Sequence, residues 1–324
     1  MPYMRWLTLA FACCVGTGTV AAAQRVVHVC DCPPTMAAEE REGLLRAFAA
    51  LGFRQGQNLD LVTRDLTAAR DSYAALLGRE RTALRPDLFL VSGIRVAEAA
   101  KAATLGLPTV FFRVTDPVGF GLVESLAHPG GHLTGFSRAV EKLTPKRLQL
   151  LREMLPRARQ VAFVFIEDDA SHRRQAVDVR AAGAALGLRL HEYALPRERW
   201  HPDELDELFR RMQLDRVDAF LLPDVNMHPR TLVELAARYK LPTIHSLSHV
   251  VTDWGGLAAY STEAISAAEV ADYAARILRG ARAADLPVQE PTRFELILNV
   301  RAARELGLAF PESFRLRATQ LIEK

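Results

Sequence analysis

Short apolar runs alternate with longer amphipathic stretches in the first half of the chain, and the second half repeats this alternation. Continuous apolar runs are typical of buried parallel strands, and the stretches between them have the apolar spacing of helices that cover a sheet. The strands predicted in the first half are Val26–Cys30, Leu59–Thr63, Leu88–Val91 and Thr109–Val114. The helices predicted between them are Ala37–Leu51, Ser72–Arg81 and Val96–Leu105. One α/β lobe is therefore complete by about Phe136.

The second half repeats the pattern. Its predicted strands are Val161–Ile166, Leu188–Tyr193, Ala219–Leu222, Thr243–His245 and Leu257–Tyr260. Its predicted helices lie near Leu148 and at Arg173–Leu186, Pro202–Met212 and Pro229–Tyr239. The alternation thus predicts an α/β protein with two doubly wound, Rossmann-like lobes.

Composition excludes several classes of protein. The chain has 324 residues, of which 49% are hydrophobic and 24% charged, which is enough to bury more than one core. Its formal charge is only +3, too small for the basic surface that binds nucleic acid. After the first residues, no segment is long and apolar enough for a transmembrane helix. We therefore expect no nucleic-acid partner.

The first 23 residues have the three parts of a secretory signal peptide. Arg5 supplies the positive start, Leu7–Val15 the apolar run, and Ala21–Ala23 the small-residue cleavage site before Gln24. A lipid anchor would need a leucine-like residue three before a cysteine, and neither Cys13 nor Cys14 has one. We expect residues 1–23 to be removed and the product to be periplasmic, with lipid anchoring as the less favoured alternative.

Two glycine-rich turns and a helix start follow one another between apolar runs in the middle of the chain. The turns are Asp116–Gly119 and Pro129–Ser137, and the helix begins near Pro145–Leu148, with Thr144 as the predicted N-cap. This passage resembles the solute-binding proteins of bacterial ATP-binding-cassette (ABC) import systems, in a group whose ligands are uncharacterised.

The resemblance is collinear over the rest of the mature chain, from about Arg25. Further matching segments are Val91–Gly93, Leu241–Ile244, Gly255–Tyr260, Ala284–Gln289 and Pro291–Asn299, with Leu306–Leu308 near the end. Agreement at several separated places is more specific than one motif of small residues and turns.

The resemblance implies a type I periplasmic binding fold, in which two lobes joined by a three-segment hinge close around a ligand. The helix Ile265–Leu278 would then return to the first lobe, and Phe294–Leu298 would cross again. The implied domains are residues 24–136 with 262–290 as lobe 1, and residues 137–261 with 291–324 as lobe 2. The implied function is capture of a small organic solute, amino-acid-like or a carboxylate, and its delivery to an ABC permease and its ATPase in the inner membrane. We expect a monomer with no cofactor and no catalytic residues.

Ligands of open parallel sheets bind outside the carboxyl ends of the strands, and this rule selects the candidate residues. In the first lobe they are Asp31, Ser92 with Gly93, and Thr115 with Asp116. Ser92 can offer its hydroxyl and the Gly93 amide to a carboxylate, or it can merely cap the next helix. Asp116 can hold an ammonium group, or it can start a turn before Pro117.

In the second lobe the candidates are Asp168, Asp224, Ser246 and Tyr260. Exposed loop carboxylates usually contact only water. We nevertheless predict that these residues bind the ligand, because all of them lie at strand ends. Members of the resembling family tend to have Asn-Pro where this chain has Asp168-Asp169, which leaves the ligand class open. Tyr260 either contacts the ligand or packs in the hinge.

Beyond the leader only Cys30 and Cys32 remain, and they alternate with His28. In an extended strand all three side chains point to one side. Three states are open: buried thiols in an apolar strand, a disulfide in an oxidising compartment, and a soft-metal site.

Other functions stay as alternatives. A periplasmic sensor domain that reports to a membrane signalling partner would use the same fold, and a soft-metal-binding protein would use His28, Cys30 and Cys32. A sugar-responsive repressor would need a DNA-binding segment where this chain has its leader. An enzyme would need an activated nucleophile or a phosphate-binding loop, and no such motif is present.

Overall fold

The strands of the first half of the chain form a five-stranded parallel sheet. The computed structural model describes residues 23–65, 72–223 and 228–323. The strands are β1 (Gln24–Cys30), β2 (Leu59–Arg64), β3 (Leu88–Ser92), β4 (Thr109–Val114) and β5 (Leu133–Ser137). They are hydrogen-bonded in the order β2-β1-β3-β4-β5. The order reverses between β1 and β3, and such a switch point is where open α/β sheets bind ligands.

Helices cover both faces of this sheet. They are α1 (Pro34–Ala50), α2 (Tyr73–Leu84) and α3 (Ile94–Ala103). Strand β3 is buried along its whole length, which explains why its sequence is continuously apolar rather than alternating. A later helix, Ala267–Leu278, packs on α1 and on strands β3 and β4, so the chain returns to the first sheet after building the second.

The second half of the chain begins with a short 3₁₀ turn at Val140–Leu143 and continues with alternating helices and strands. The helices are α4 (Thr144–Met154), α5 (Ala170–Ala185), α6 (Pro202–Leu214), α7 (Pro229–Tyr239), α8 (Ser248–Thr252), α9 (Ala267–Leu278), α10 (Val300–Glu305) and α11 (Glu312–Arg315). The strands are β6 (Gln160–Ile166), β7 (Arg189–Leu195), β8 (Ala219–Leu221), β9 (Ala258–Thr262), β10 (Phe294–Asn299) and β11 (Gln320–Ile322).

These strands pair in two groups of three, in the orders β7-β6-β8 and β11-β10-β9. The predicted strand Thr243–His245 lies between the groups but is not a regular strand. The carbonyl of Pro242, just before it, accepts a hydrogen bond from the Phe220 amide of β8, and His245 pairs with β9. Because the chain passes from β8 to β9 within these few residues, it makes only one contact with each strand and forms no regular strand of its own.

The helix start at Thr144 also differs from the prediction. Thr144 is the first helical residue, and Leu143 precedes it without a side-chain cap. The Thr144 hydroxyl instead donates to Gln175 Oε1 at 2.6 Å and accepts from Arg147 at 2.5 Å. Because the 3₁₀ turn runs directly into α4, the threonine is free to bind neighbouring side chains.

The three crossings between the two halves lie side by side. The Ser137 amide donates to the Gln289 carbonyl at 2.8 Å, and the Thr262 hydroxyl donates to the Arg138 carbonyl at 3.1 Å. The Glu263 amide donates to the Arg293 carbonyl at 3.1 Å. The molecule is thus a two-lobed type I periplasmic binding fold with a three-segment hinge. The exact residue boundaries of the lobes stay a prediction.

Apolar contacts hold each lobe together around its own core. In the first lobe Tyr273 of α9 packs on Phe136, with ring centroids 4.9 Å apart. In the second lobe Leu296 and Leu298 of β10 pack with Leu148 and Leu151 of α4. Within the described residues, every helix is too short or too polar to cross a bilayer. The predicted leader is residues 1–23, and all of it except Ala23 lies outside the described part of the chain.

Candidate functional site

Asp31 and Gly93 meet at the switch point of the first sheet. The Asp31 amide donates to the Ser92 carbonyl at 2.8 Å, which joins the loops after β1 and β3. Gly93 has φ +106°, and a Cβ there would lie 2.9 Å from Asp31 Cβ. Only glycine therefore lets the two loops approach so closely.

The Asp31 carboxylate is held by two neighbours. The Tyr73 hydroxyl donates to Oδ1 at 2.7 Å, and Arg95 donates through Nε to Oδ2 at 2.7 Å and through Nη2 to Oδ1. Burial alone raises the pKa of Asp31, but Arg95 and Tyr73 outweigh it and hold the pKa below its usual 3.8. The guanidinium carbon of Arg95 also lies 5.6 Å from the centre of the Tyr73 ring. Asp31 is thus an ionised, fixed group at the end of β1.

Ser92 is fully buried, and its hydroxyl donates to Glu40 Oε1 at 3.2 Å. The predicted alternative, that Ser92 caps the next helix, is wrong: the N-cap of α3 is Gly93, without a side-chain hydrogen bond. The Gly93 amide donates to the Phe112 carbonyl at 3.0 Å, so that amide is already used within the sheet. Any contact of this pair with a solute carboxylate would need these partners to change.

Arg113 completes a charged network with Glu40. Its Nη1 atom lies 2.9 Å from Glu40 Oε1. Arg113 has φ +57°, and the pairing of β4 with β5 shifts between Phe111 and Val114, so a bulge turns this side chain toward α1. A non-glycine residue in this backbone region costs about 1–2 kcal/mol, which the surrounding contacts must offset.

Asp116 links the two lobes. Its Oδ1 accepts from the Gly119 amide at 2.8 Å, which is the turn role that the sequence left open. Its Oδ2 forms an ion pair with Arg174, on helix α5 of the second lobe. Asp116 therefore starts a turn and also contacts the opposite side of the cleft. Thr115, just before it, is half-buried.

Two adjacent acidic residues in the loop after β6 have different roles. Asp168 is exposed, whereas Asp169 caps α5 by accepting from the amides of Ser171 at 3.0 Å and His172 at 3.1 Å. Asp169 also pairs with Arg197 at 3.3 Å. Burial and then the charge of Asp169 raise the pKa of Glu98 on α3, so the acidic groups of Glu98 and Asp169 lie near each other.

The remaining predicted residues of the second lobe lie in different surroundings. Ser246 is buried just after His245. Tyr260 in β9 packs against the core of its lobe and stacks on Phe294, with ring centroids 6.0 Å apart. Burial raises the pKa of Tyr260. These contacts agree with the alternative in which this tyrosine packs against other side chains instead of contacting the ligand. Asp224 lies outside the described residues.

Cys30 and Cys32 form a disulfide with Cα atoms 5.2 Å apart, which is one of the three states that the sequence left open. The buried-thiol alternative is wrong for this structure. Asp31 is the middle residue of the closed loop, so the disulfide restrains the backbone that carries this carboxylate.

Several charged or polar residues of the site were not predicted from the sequence. They are Glu40, Tyr73, Arg95, Arg113 and Arg174. One signal was available for Glu40, since it occupies the same helix face as the buried residues Ala37, Leu44 and Phe48. A carboxylate within an apolar stripe usually has a buried partner. The arginines have no comparable mark because most arginines in proteins lie on the surface.

Known proteins share both the sequence pattern and the fold. Residues 20–322 match the family described as ABC transporter substrate binding protein. A relative from Clostridioides difficile (strain R20291), named "Tyrosine-binding protein", is 23% identical over 277 residues, or 83% of this chain and 76% of that protein.

Two solved structures show the same fold. A conserved domain protein from Vibrio cholerae is 24% identical with a TM-score of 0.76, covering 92% of this chain and 99% of that one. An ABC domain from Streptococcus pneumonia, in complex with L-Trp, is 21% identical with a TM-score of 0.77, covering 93% of this chain and 100% of that one. The match to the family spans nearly the whole chain, and the chain belongs to the ABC transporter substrate binding proteins.

Proposed function

We propose that this protein captures an α-amino acid between its two lobes and delivers it to an ABC permease and its ATPase for import. The observation that carries this proposal is the ion pair between Asp116 of the first lobe and Arg174 of the second. It puts one carboxylate and one guanidinium at the same point of the cleft, each from a different lobe.

A zwitterion fits such a pair better than a singly charged solute. The carboxylate of the ligand can replace Asp116 as the partner of Arg174, in a bidentate contact. The ammonium group of the ligand can replace Arg174 as the partner of Asp116, so neither protein charge is left unpaired. A second pair, Asp31 with Arg95, lies at the switch point and repeats the same arrangement of charges. A plain carboxylate or a polyamine would leave charge of one sign uncompensated in a partly dehydrated cleft.

The named relatives support this ligand class. One is called a tyrosine-binding protein, and the other was solved with L-Trp. Tyrosine and tryptophan are zwitterions with large aromatic side chains, and we take aromatic amino acids as the first ligands to test. Asp168, Asp224, Ser246, Ser92 and Thr115 remain proposed contacts at the strand ends.

The mechanism follows from the two lobes and the hinge. A solute that contacts both lobes binds the closed form more tightly than the open form, so it shifts the population toward closure. The permease would then distinguish the closed, loaded protein from the open one. Secretion through the predicted leader would place the protein in the periplasm, where a permease of the inner membrane is reachable.

The test is a thermal-shift screen of the mature chain, from Gln24, against amino acids, simple carboxylates, polyamines, sugars and nucleosides. A ligand that binds only the folded state raises the melting temperature, by an amount that saturates with concentration. We expect a saturable rise with one or more α-amino acids. The matching carboxylic acid without the amino group and the matching amine without the carboxylate should give none.

A rise with the carboxylic acid alone, equal to that with the amino acid, would contradict the zwitterion proposal. Replacing Arg180 by Gln provides a matched control, because Arg180 lies on the same helix α5 but pairs with Glu192 on the exposed surface. That variant should keep the full ligand-induced rise.

A further inference from the structure

Three potential metal ligands from two elements converge beneath the candidate cleft. One ring nitrogen of His28, the sulfur of Cys30 and a carboxylate oxygen of Glu40 all lie within 4.8 Å of one another. We propose that these three groups bind a Zn²⁺ ion in the dithiol form of the chain, and that this zinc form and the Cys30–Cys32 disulfide exclude each other.

The local structure places the ligands. His28 and Cys30 are two residues apart on β1, so their side chains leave the same side of the strand. Helix α1 covers that side and points Glu40 toward them, with His28 Nε2 3.2 Å from Glu40 Oε2. Zinc bonds of about 2.0–2.3 Å to nitrogen, oxygen and sulfur require ligand atoms somewhat closer than 4.8 Å. Side-chain rotation of Glu40 and Cys30 supplies that adjustment.

Two buried polar atoms at this place face each other. His28 Nε2 and Glu40 Oε2 lie 3.2 Å apart, close enough to attract as ions, and within the part of the chain that the structure describes neither atom makes a regular hydrogen bond. His28 itself is fully buried. A bound cation would take a lone pair from each atom in place of this single contact.

The atoms on the other sides of these groups orient them for a metal. His28 Nδ1 lies 3.5 Å from the Thr63 hydroxyl, which can accept its proton and leave the Nε2 lone pair for the ion. Glu40 Oε1 is bound by Arg113 and Ser92, so Oε2 is the oxygen that remains to face the imidazole. Arg113 repels a cation, but it contacts the far oxygen and is partly exposed to screening water.

The donor set selects the metal. An imidazole nitrogen, a thiolate and a carboxylate suit zinc, whereas calcium and magnesium prefer oxygen ligands alone. Zinc binding displaces the thiol proton of Cys30 and needs no change of oxidation state. The disulfide closes a loop of only three residues, which is the size that stabilises a fold least, so the dithiol form loses little folding free energy.

Two matched variants separate this proposal from its alternatives. Cys32→Ser and Cys30→Ser each abolish the disulfide and leave one thiol, but only Cys32→Ser keeps the three converging ligands. Each full-length mature variant is treated with a chelator and then titrated with Co²⁺ as a spectroscopic probe, followed by Zn²⁺.

We expect Cys32→Ser to bind one Co²⁺ with a thiolate-to-cobalt absorption band that Zn²⁺ abolishes, and Cys30→Ser to give no band. Adding Glu40→Gln to Cys32→Ser should weaken binding at least tenfold. Equal bands in both cysteine variants, or none in Cys32→Ser, would overturn the proposal.

If Cys32→Ser does not fold, the parent protein answers the same question. It is reduced with a phosphine under argon, and alkylation of Cys30 is followed by mass spectrometry. Zinc should slow alkylation of Cys30 severalfold, and unchanged alkylation would count against the site.

Discussion

At the scale of single residues, Gly93 governs where the Asp31 carboxylate lies. A Cβ on Gly93 would lie 2.9 Å from Asp31 Cβ, and the backbone conformation of Gly93 is one that other residues rarely adopt. Asp31 in turn is fixed by Arg95 and Tyr73 on one side and by its disulfide loop on the other.

We predict that Gly93→Ala lowers the free energy of unfolding by about 2–3 kcal/mol, because it combines backbone strain with a clash at Asp31 Cβ. Urea denaturation measures the change. Gly187→Ala is the matched control, since Gly187 also has positive φ but has open space around its Cα. The control should lose only about 1 kcal/mol. Equal losses would mean that the contact with Asp31 has no energetic weight.

His245 gives a prediction on pH. Full burial, followed by the charge of Arg147 and the nearby His249, lowers the pKa of His245 to about 4. The unfolded chain therefore binds a proton near the ordinary value of 6.5, while the folded protein does not. Stability attributable to His245 is full above that value and is lost as the pH falls toward 4.

The expected loss between pH 7.5 and pH 5 is about 2 kcal/mol, from roughly 1.4 kcal/mol per pH unit below 6.5. Denaturation curves at the two pH values measure it. In His245→Gln this part of the pH dependence should disappear, whereas His128→Gln, in an exposed loop, should behave as the parent protein. An unchanged pH dependence in His245→Gln would refute the assignment.

At the scale of elements, helix α5 carries the second lobe's contribution to the cleft. Its first turn is set by Asp169, which accepts two amide hydrogen bonds, and its second turn presents Arg174 to the first lobe. The neighbouring Asp168 is exposed and makes no part of this cap.

Replacing each of these adjacent acids by alanine distinguishes the residue that stabilises the helix from the exposed one. Asp169→Ala should lower the unfolding free energy by about 1 kcal/mol through loss of the N-cap. Asp168→Ala should change it by less than about 0.5 kcal/mol, as usual for an exposed position. Thermal denaturation of both variants tests this, and a larger loss for Asp168→Ala would contradict the roles assigned here.

Regular elements could be predicted closely because buried parallel strands leave continuous apolar runs. Strand β4 and helix α7 have the predicted limits, Thr109–Val114 and Pro229–Tyr239. The failures have physical causes. Thr243–His245 begins with two β-branched residues, which are typical of strands, but it pairs with β9 only at His245. Thr144 binds Gln175 and Arg147 instead of capping its helix, because a preceding turn already starts the chain in the helical direction.

The site was predicted only in part. Residues at the ends of strands could be chosen because the strand ends could be read from the sequence. Their partners could not, since Tyr73, Arg95 and Arg113 reach the end of β1 only through the strand order β2-β1-β3-β4. That order, and the bulge that turns Arg113, are set by tertiary packing rather than by local sequence.

At the scale of the whole molecule, three adjacent crossings join the lobes, and the cleft between them is bridged by Asp116 and Arg174. In the function we propose, the lobes move about this hinge and one zwitterionic ligand is held by the paired charges of both lobes at once.

Calorimetric titration tests binding between the lobes: the stabilising amino acid is titrated into the parent protein and into one variant of each lobe, Asp116→Asn and Arg174→Gln. Asp60→Asn, whose partner Arg25 lies at the opposite end of the first sheet, is the control for the first lobe, and Arg180→Gln for the second. We predict at least a tenfold loss of affinity in both cleft variants and parental affinity in both controls. Parental affinity in either cleft variant would contradict binding between the lobes.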